Sequence, residues 1–327
     1  MPSPPGDRSS TLKGGEASPS GPRPAKRGLK AYENPQFLKS RDARIVRMLC
    51  EYLEPLQRFQ RLQVRETVVM FGSARARSLA VVRPEFDAAQ AERKKYKDKV
   101  PKDVRENFDR LQMDMRLARY YEDCAELSRL LTAWAKGLGQ GNRFVVCSGG
   151  GPGIMEAANR GATELAGGKS IGLTISLPFE QAGNPYITPE LLFEFHYFFM
   201  RKLWFIYMST ALVIFPGGFG TMDELFEVLT LVQTRKISRP LPVVLYGRKF
   251  WQELFNWDTL VRWGTISAKD VNLFKIVDDP REAFNYLSKA LLQAYPKPMM
   301  WGPMGVQSGE PPDRRAKAPE IIPPPEI

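Results

Sequence analysis

The chain has 327 residues, 43% of them hydrophobic, and a formal net charge of +11. That is enough apolar material for one large core. Three scattered cysteines (Cys50, Cys124, Cys147) and a single histidine, His196, leave no ligand set for a Cys/His zinc centre and argue against a disulfide framework. A hydrolytic triad would have to use His196 alone. That residue lies in the aromatic run 193–199 and reads as a packed or partly buried side chain. No apolar stretch reaches the roughly 20 residues that span a bilayer, and residues 1–30 have no signal-peptide core. A soluble, unsecreted, cytoplasmic chain is expected.

The charge is uneven: residues 1–65 hold 13 Lys/Arg against 6 Asp/Glu, a net of +7. Such an arm could touch nucleic acid or an acidic partner. It has few aromatics and no binding motif, so a solvated tail is the plainer reading.

In chain order, residues 1–30 read as a disordered basic and Pro-rich arm. Residues 31–65 form a helical extension: Ile45, Met48, Leu49, Tyr52 and Leu53 recur at helical spacing, for packing on the main domain or on a partner subunit. The main domain is expected over 66–295. Its first strand is 67–71, running into Gly72-Ser73. A charged surface insertion of helical character follows at about 78–112, then a long helix over 113–136 ended by Gly137. A second strand, 144–147, enters the glycine-rich loop Ser148–Gly153 and a helix over 154–165. Strands at 170–175 and 193–195, a helix over 200–209 and a strand at 211–215 lead to Pro216-Gly217-Gly218-Phe219-Gly220-Thr221. Then come a helix over 222–232, a strand at 241–246, helices over 249–261 and 281–294, and a Pro-rich tail over 296–327. Short, continuously apolar strands alternating with helices predict an α/β fold: a modified Rossmann, doubly wound and mainly parallel sheet with flanking helices. Three glycine loops, after Phe71, Cys147 and Phe215, should open on one sheet edge, where such folds bind ligands.

The third loop could seat a phosphate: Gly217, Gly218 and Gly220 let backbone approach a ligand, and the helix beginning near Thr221 offers unpaired N–H groups and a positive dipole end. It is neither a Walker A loop nor a GxGxxG fingerprint. A bare strand-to-helix turn is the alternative, but the acid Glu224 lies one turn into the helix. In the second loop, Gly149, Gly150, Gly151 and Gly153 crowd into six residues, as for backbone that skirts a ligand. Gly72 and Ser73 would suit a base or ribose. Arg201, beside Lys202 at a helix start, can clamp a phosphate or carboxylate, or simply snorkel.

Met200-Arg201-Lys202 followed by Pro216-Gly217-Gly218-Phe219-Gly220-Thr221-Met222-Asp223-Glu224 resembles the signature of the LOG ("Lonely Guy") family, cytokinin riboside 5′-monophosphate phosphoribohydrolases long mislabelled as lysine decarboxylases. The Ser148–Gly153 loop and the Phe71-Gly72-Ser73 turn look similar too, and the resemblance covers about residues 65–295. It implies a homodimer or higher homo-oligomer that hydrolyses the N-glycosidic bond of a nucleoside 5′-monophosphate (a cytokinin monophosphate, AMP or a similar nucleotide), giving free base and ribose 5-phosphate. It implies Arg201 and Glu224 as catalytic residues and Lys202, Thr221 and the loop glycines as substrate and phosphate contacts, with no cofactor and no metal. Carboxylates stabilise the positive charge that develops on a sugar during such cleavage, and Glu227 could support Glu224. Phe193, Phe195 and Phe199 could line a prenyl pocket, with aromatic core the plainer reading. The competing reading is a non-catalytic carrier of a nucleotide or of a phosphorylated pterin, the molybdenum cofactor, using the same loops. Lysine decarboxylation needs an electron-sink cofactor held by a lysine, and none of the three loops carries one.

Overall fold

The computed structural model describes residues 27–96, 99–177, 182–302 and 305–307. Residues 1–26 of the arm expected over 1–30, and residues 308–327 of the tail expected over 296–327, lie outside the described residues. The chain divides into two compact units, residues 1–47 and 48–327. The described part of the first holds helix α1 (Pro35–Lys39), capped by Asn34, whose side chain accepts from Gln36 N and Phe37 N. In the same unit Arg47 donates to the carbonyls of Leu38 (2.7 Å) and Ser40 (2.5 Å). Helix α2 is Arg44–Arg61.

The second unit is built on seven strands: β1 (Thr67–Phe71), β2 (Val145–Ser148), β3 (Ser170–Ile175), β4 (Leu192–Phe195), β5 (Ser209–Ile214), β6 (Val243–Tyr246) and β7 (Lys275–Val277). They lie in the order β4-β3-β2-β1-β5-β6-β7, every neighbour parallel. Alternate residues of β1 feed opposite faces. Val69 and Phe71 pack in a core with Phe59, Trp204, Leu225 and Trp251, whereas Val68 and Met70 pack with Leu127, Leu131, Ala157 and Leu287. Both faces being covered explains why the strands are apolar throughout. The helices are α3 (Leu79–Lys94), α4 (Lys102–Gly137), α5 (Ile154–Thr163), α6 (Phe198–Tyr207), α7 (Phe219–Gln233), α8 (Arg248–Leu254), α9 (Trp257–Arg262) and α10 (Pro280–Ala294). A hairpin of β8 (Met300–Gly302) and β9 (Gly305–Gln307) follows.

The fold is thus the expected doubly wound α/β sheet. The main departures from expectation are these. The long helix begins at Lys102 rather than Met113, because Phe108 and Leu111 close a small apolar cluster with Phe86 and Ala89 of α3. The charged segment 83–110 therefore contributes to a packed helix pair. Strand β7 is an addition; its three residues carry Lys275 and half-buried Ile276, too short a signal for periodicity. The helix expected over 249–261 is two, broken where the Asn256 side chain caps Thr259 N. His196 is exposed rather than packed. Strand alternation carries past β4, so Phe193, Phe195 and Tyr197 point inward while Glu194 and His196 point outward.

Candidate functional site

The strand order reverses between β1 and β5, the position where a doubly wound sheet opens a crevice beyond its strand ends. The three glycine loops meet there. Ser73 N donates to Pro216 O (2.9 Å), and Ile154 N donates to Ser73 O (3.0 Å). The first loop therefore ties the third loop to the start of α5.

The glycines divide into two groups. Those of the first two loops are closely packed, most tightly at Gly72 and Gly153. A Cβ on Gly72 would fall 2.7 Å from Ile154, one on Gly149 2.7 Å from Met155, one on Gly151 2.8 Å from Met155, and one on Gly150 2.7 Å from Thr174. Gly153 has φ +74°, and its Cβ would lie 2.3 Å from Ser73 O. A side chain there is both strained and blocked. The second loop is further held by Asn184 Nδ2, which donates to Gly150 O (3.1 Å) and Asn159 Oδ1 (2.9 Å). In the third loop Gly217 is packed against Thr221, but Gly218 and Gly220 face open space, with nothing within 4 Å of where a Cβ would stand. Gly218 has φ −91°, which any residue can adopt. The architecture does not require glycine at these two positions.

Helix α7 begins at that opening. Gly218 is its N-cap and supplies no side-chain cap. The first intrahelical bond at this end is Met222 N to Gly218 O, so the N–H groups of Phe219, Gly220 and Thr221 are the free donors of a helix start. Thr221 is buried in the first turn.

Glu224 follows one turn later and is 4% exposed. Burial pushes its carboxyl up to about 7; Lys202 and Arg201 oppose this, while Glu227 and Asp223 add to it. Arg201, half-buried on α6, lies over the Phe198 ring (5.1 Å). Burial lowers the proton affinity of its guanidinium, against the pull first of Glu224 and then of Asp223. Arg201 Nε and Glu224 Oε2 are both buried without a hydrogen-bond partner among the described residues. Buried polar atoms are nearly always paired, so two orphans of opposite charge in one crevice mark a place for a polar ligand.

Lys202, expected as a substrate contact, is engaged within the protein: Nζ is 2.9 Å from Asp223 Oδ2 and 2.8 Å from Glu227 Oε2. Glu227 is thus tied down rather than solvated. Phe193 and Phe195 are core, and Phe199 is 51% exposed. One contributor had no sequence signal. Glu51 of α2 accepts from His196 N (2.8 Å) and Tyr197 N (3.3 Å), capping α6 from a segment far away in the chain. No group of His, Cys, Asp and Glu among the described residues forms a metal cluster, and no described helix is long and apolar enough to cross a membrane.

Residues 155–287 match the family described as "Possible lysine decarboxylase", the older label of the LOG proteins. The segment is similar to the LOG family. Arg201, Lys202 and Gly217 to Glu224 fall inside it; Gly72, Ser73 and the second loop precede it. Among curated proteins, the chain is 27% identical over 149 residues to "Probable cytokinin riboside 5′-monophosphate phosphoribohydrolase LOG4" of Oryza sativa subsp. japonica, covering 45% of this chain and 63% of that one. It is 30% identical over 155 residues to "Pyrimidine/purine nucleotide 5′-monophosphate nucleosidase" of Escherichia coli strain K12, covering 45% of this chain and 34% of that one. The match therefore takes in less than two thirds of either LOG relative. The solved molybdenum cofactor carrier protein of Chlamydomonas reinhardtii aligns at 17% identity and a TM-score of 0.36, over 69% of this chain and 99% of that one.

Proposed function

We propose that this protein hydrolyses the N-glycosidic bond of a nucleoside 5′-monophosphate, releasing free base and ribose 5-phosphate. The observation that carries the reading is the pair of orphaned buried groups, Arg201 Nε and Glu224 Oε2, beside a helix start whose glycines face open space. The names of the two curated relatives point to the same chemistry. The 5′-phosphate docks on the N–H groups of Phe219, Gly220 and Thr221, where the helix dipole favours an anion. Ser73 and Gly72 border the ribose. Water adds to C1′ as the C1′–N bond breaks; the bonding pair leaves with the base, which takes up a proton, and the water loses one. Ionised Glu224 stabilises the positive charge that builds on the ribose and orients the water. Arg201 draws on the phosphate or the departing base.

The test is incubation with AMP and other nucleoside monophosphates, followed by detection of free base. Glu224→Gln is expected to keep nucleotide affinity and to lose base release by about 100-fold or more. A wild-type protein that holds nucleotide and never releases base overturns the reading in favour of a carrier. Because the ionised carboxyl is the active form, the rate should rise with pH through about 7 and level off above. A rate that instead falls through that range assigns Glu224 as the proton donor.

The working form is a homo-oligomer. Phe198, Phe199 and Leu203 on α6, Phe219 and Phe226 on α7 and Leu49 and Leu53 on α2 are all exposed, on the helices that carry or brace the site. The main domain over 66–295 does the chemistry, and the arm, insertion and tail are accessory to it.

A further inference from the structure

Arg201 and Lys202 are consecutive on α6, so their side chains leave the helix about 100° apart. Arg201 has an unpaired buried nitrogen, whereas the Lys202 ammonium is held between two carboxylates. Its two partners, Asp223 and Glu227, are four residues apart on α7. They therefore share a face and would repel without a cation between them. The Lys202 side chain is 18% exposed, against 62% for Asp223 and 33% for Glu227. A phosphate approaching the Lys202 ammonium would meet two carboxylates already on it.

We infer that Lys202 touches no substrate and is instead a positioning residue, locking α6 against α7 through Asp223 and Glu227 so that Arg201 and Glu224 are held across the same crevice. The inference rests on the nucleosidase reading for its effect on rate, though its geometry stands apart from it. The groups bearing on Glu224 are Arg201 and Lys202 from α6 and Asp223 and Glu227 from its own helix. Among them Lys202 is the largest influence favouring the ionised carboxyl. Removing it frees α6 to shift and leaves two uncompensated negative charges flanking Glu224. The proton on Glu224 is then held more tightly, and the ionised form is reached at a higher pH.

The experiment compares full-length wild type with Lys202→Met and Lys202→Arg. Base release from AMP is measured across pH, and the Glu224 carboxyl is titrated without nucleotide by isotope-edited infrared difference against Glu224→Gln. Lys202→Met is expected to lower kcat about tenfold or more with little change in KM, and to move both the rate midpoint and the infrared midpoint upward by on the order of one pH unit. Lys202→Arg should restore most of each. A raised KM with unchanged kcat and unmoved midpoints overturns the inference and makes Lys202 a phosphate ligand. If wild type releases no base from any nucleotide, the nucleosidase reading falls, and the infrared midpoint still decides: unmoved in Lys202→Met, the clamp is wrong; raised, it stands. Should Lys202→Met fail to fold, Asp223→Asn and Glu227→Gln serve, each removing a negative neighbour. Their infrared midpoints should then fall, and midpoints that stay in place overturn the inference.

Discussion

Glu224 carries a tension between stability and chemistry. Its carboxyl titrates near 7 in the fold against an ordinary 4.5, so the folded state binds a proton more tightly than the unfolded chain does. Stability from this group is present below about 4.5 and is lost as pH rises through 7. Ionised Glu224 therefore destabilises the fold at pH 8 by up to about 3 kcal/mol. Glu224→Gln removes that charge and should raise the melting temperature at pH 8 while leaving it unchanged near pH 4; thermal unfolding at the two pH values checks this. The neighbouring glycines give a second contrast. Gly153→Ala meets both positive φ and the Ser73 carbonyl and should cost several kcal/mol or prevent folding. Gly218→Ala and Gly220→Ala meet nothing. Their stability should change by no more than about 0.5 kcal/mol, with AMP affinity, read by calorimetry, falling if the phosphate docks there as proposed. The motif from Pro216 to Glu224 was legible in the sequence because glycine and acid lie a few residues apart there. The reason for the glycines in Ser148–Gly153 was not. Packing against Met155, Thr174 and Ser73 involves residues whose proximity only the fold creates.

At the scale of the helix, α6 is held from both ends. Glu51 accepts from the amides of His196 and Tyr197 before its first turn, and Arg239 donates to the carbonyls of Ile206 and Tyr207 at its last. Each charge has the sign that complements the helix dipole. Trp204, on the same helix, donates its indole N–H to Glu51 O (2.9 Å). The helix that presents Arg201 is thus braced by α2, an element ahead of the main domain. Glu51→Ala should cost about 1 kcal/mol of stability and lower kcat more than it raises KM, measured by urea unfolding and steady-state base release; equal activity would show that α6 needs no brace. Helix existence was readable from apolar spacing, as the agreement of α5, α7 and α10 with their expected places shows. The brace was unreadable because Glu51 and Tyr197 are linked by tertiary contact alone. The early start of α4 was hidden likewise: Phe108 and Leu111 look isolated among charges until α3 folds back on them.

For the molecule as a whole, the parallel sheet places its switch point between β1 and β5, and the helices on one face of it turn apolar side chains toward solvent. On α2, Leu49 and Leu53 are four residues apart and more than half exposed, while Tyr52 and Phe59 turn inward to the ring of Trp204. On α6, Phe199 and Leu203 repeat the spacing outward. Tyr52 packs against Trp204, so these stripes lie on adjacent helices. Exposed apolar residues repeated on neighbouring helices suit an interaction face. The amphipathic pattern of α2 allowed packing on the main domain or on another subunit, and the structure shows its inward side packed on the main domain. The inward side is filled by the protein's own core; the outward side is exposed, and a second copy is the occupant we propose for it. Replacing Leu49 and Leu53 together with aspartate puts charge on the outward side without touching the inward one. Sedimentation velocity should then shift to a smaller species, with circular dichroism unchanged. Because α2 braces α6, base release should fall with dissociation. A variant that sediments like wild type would remove this face from the assembly and leave α2 with its bracing role alone.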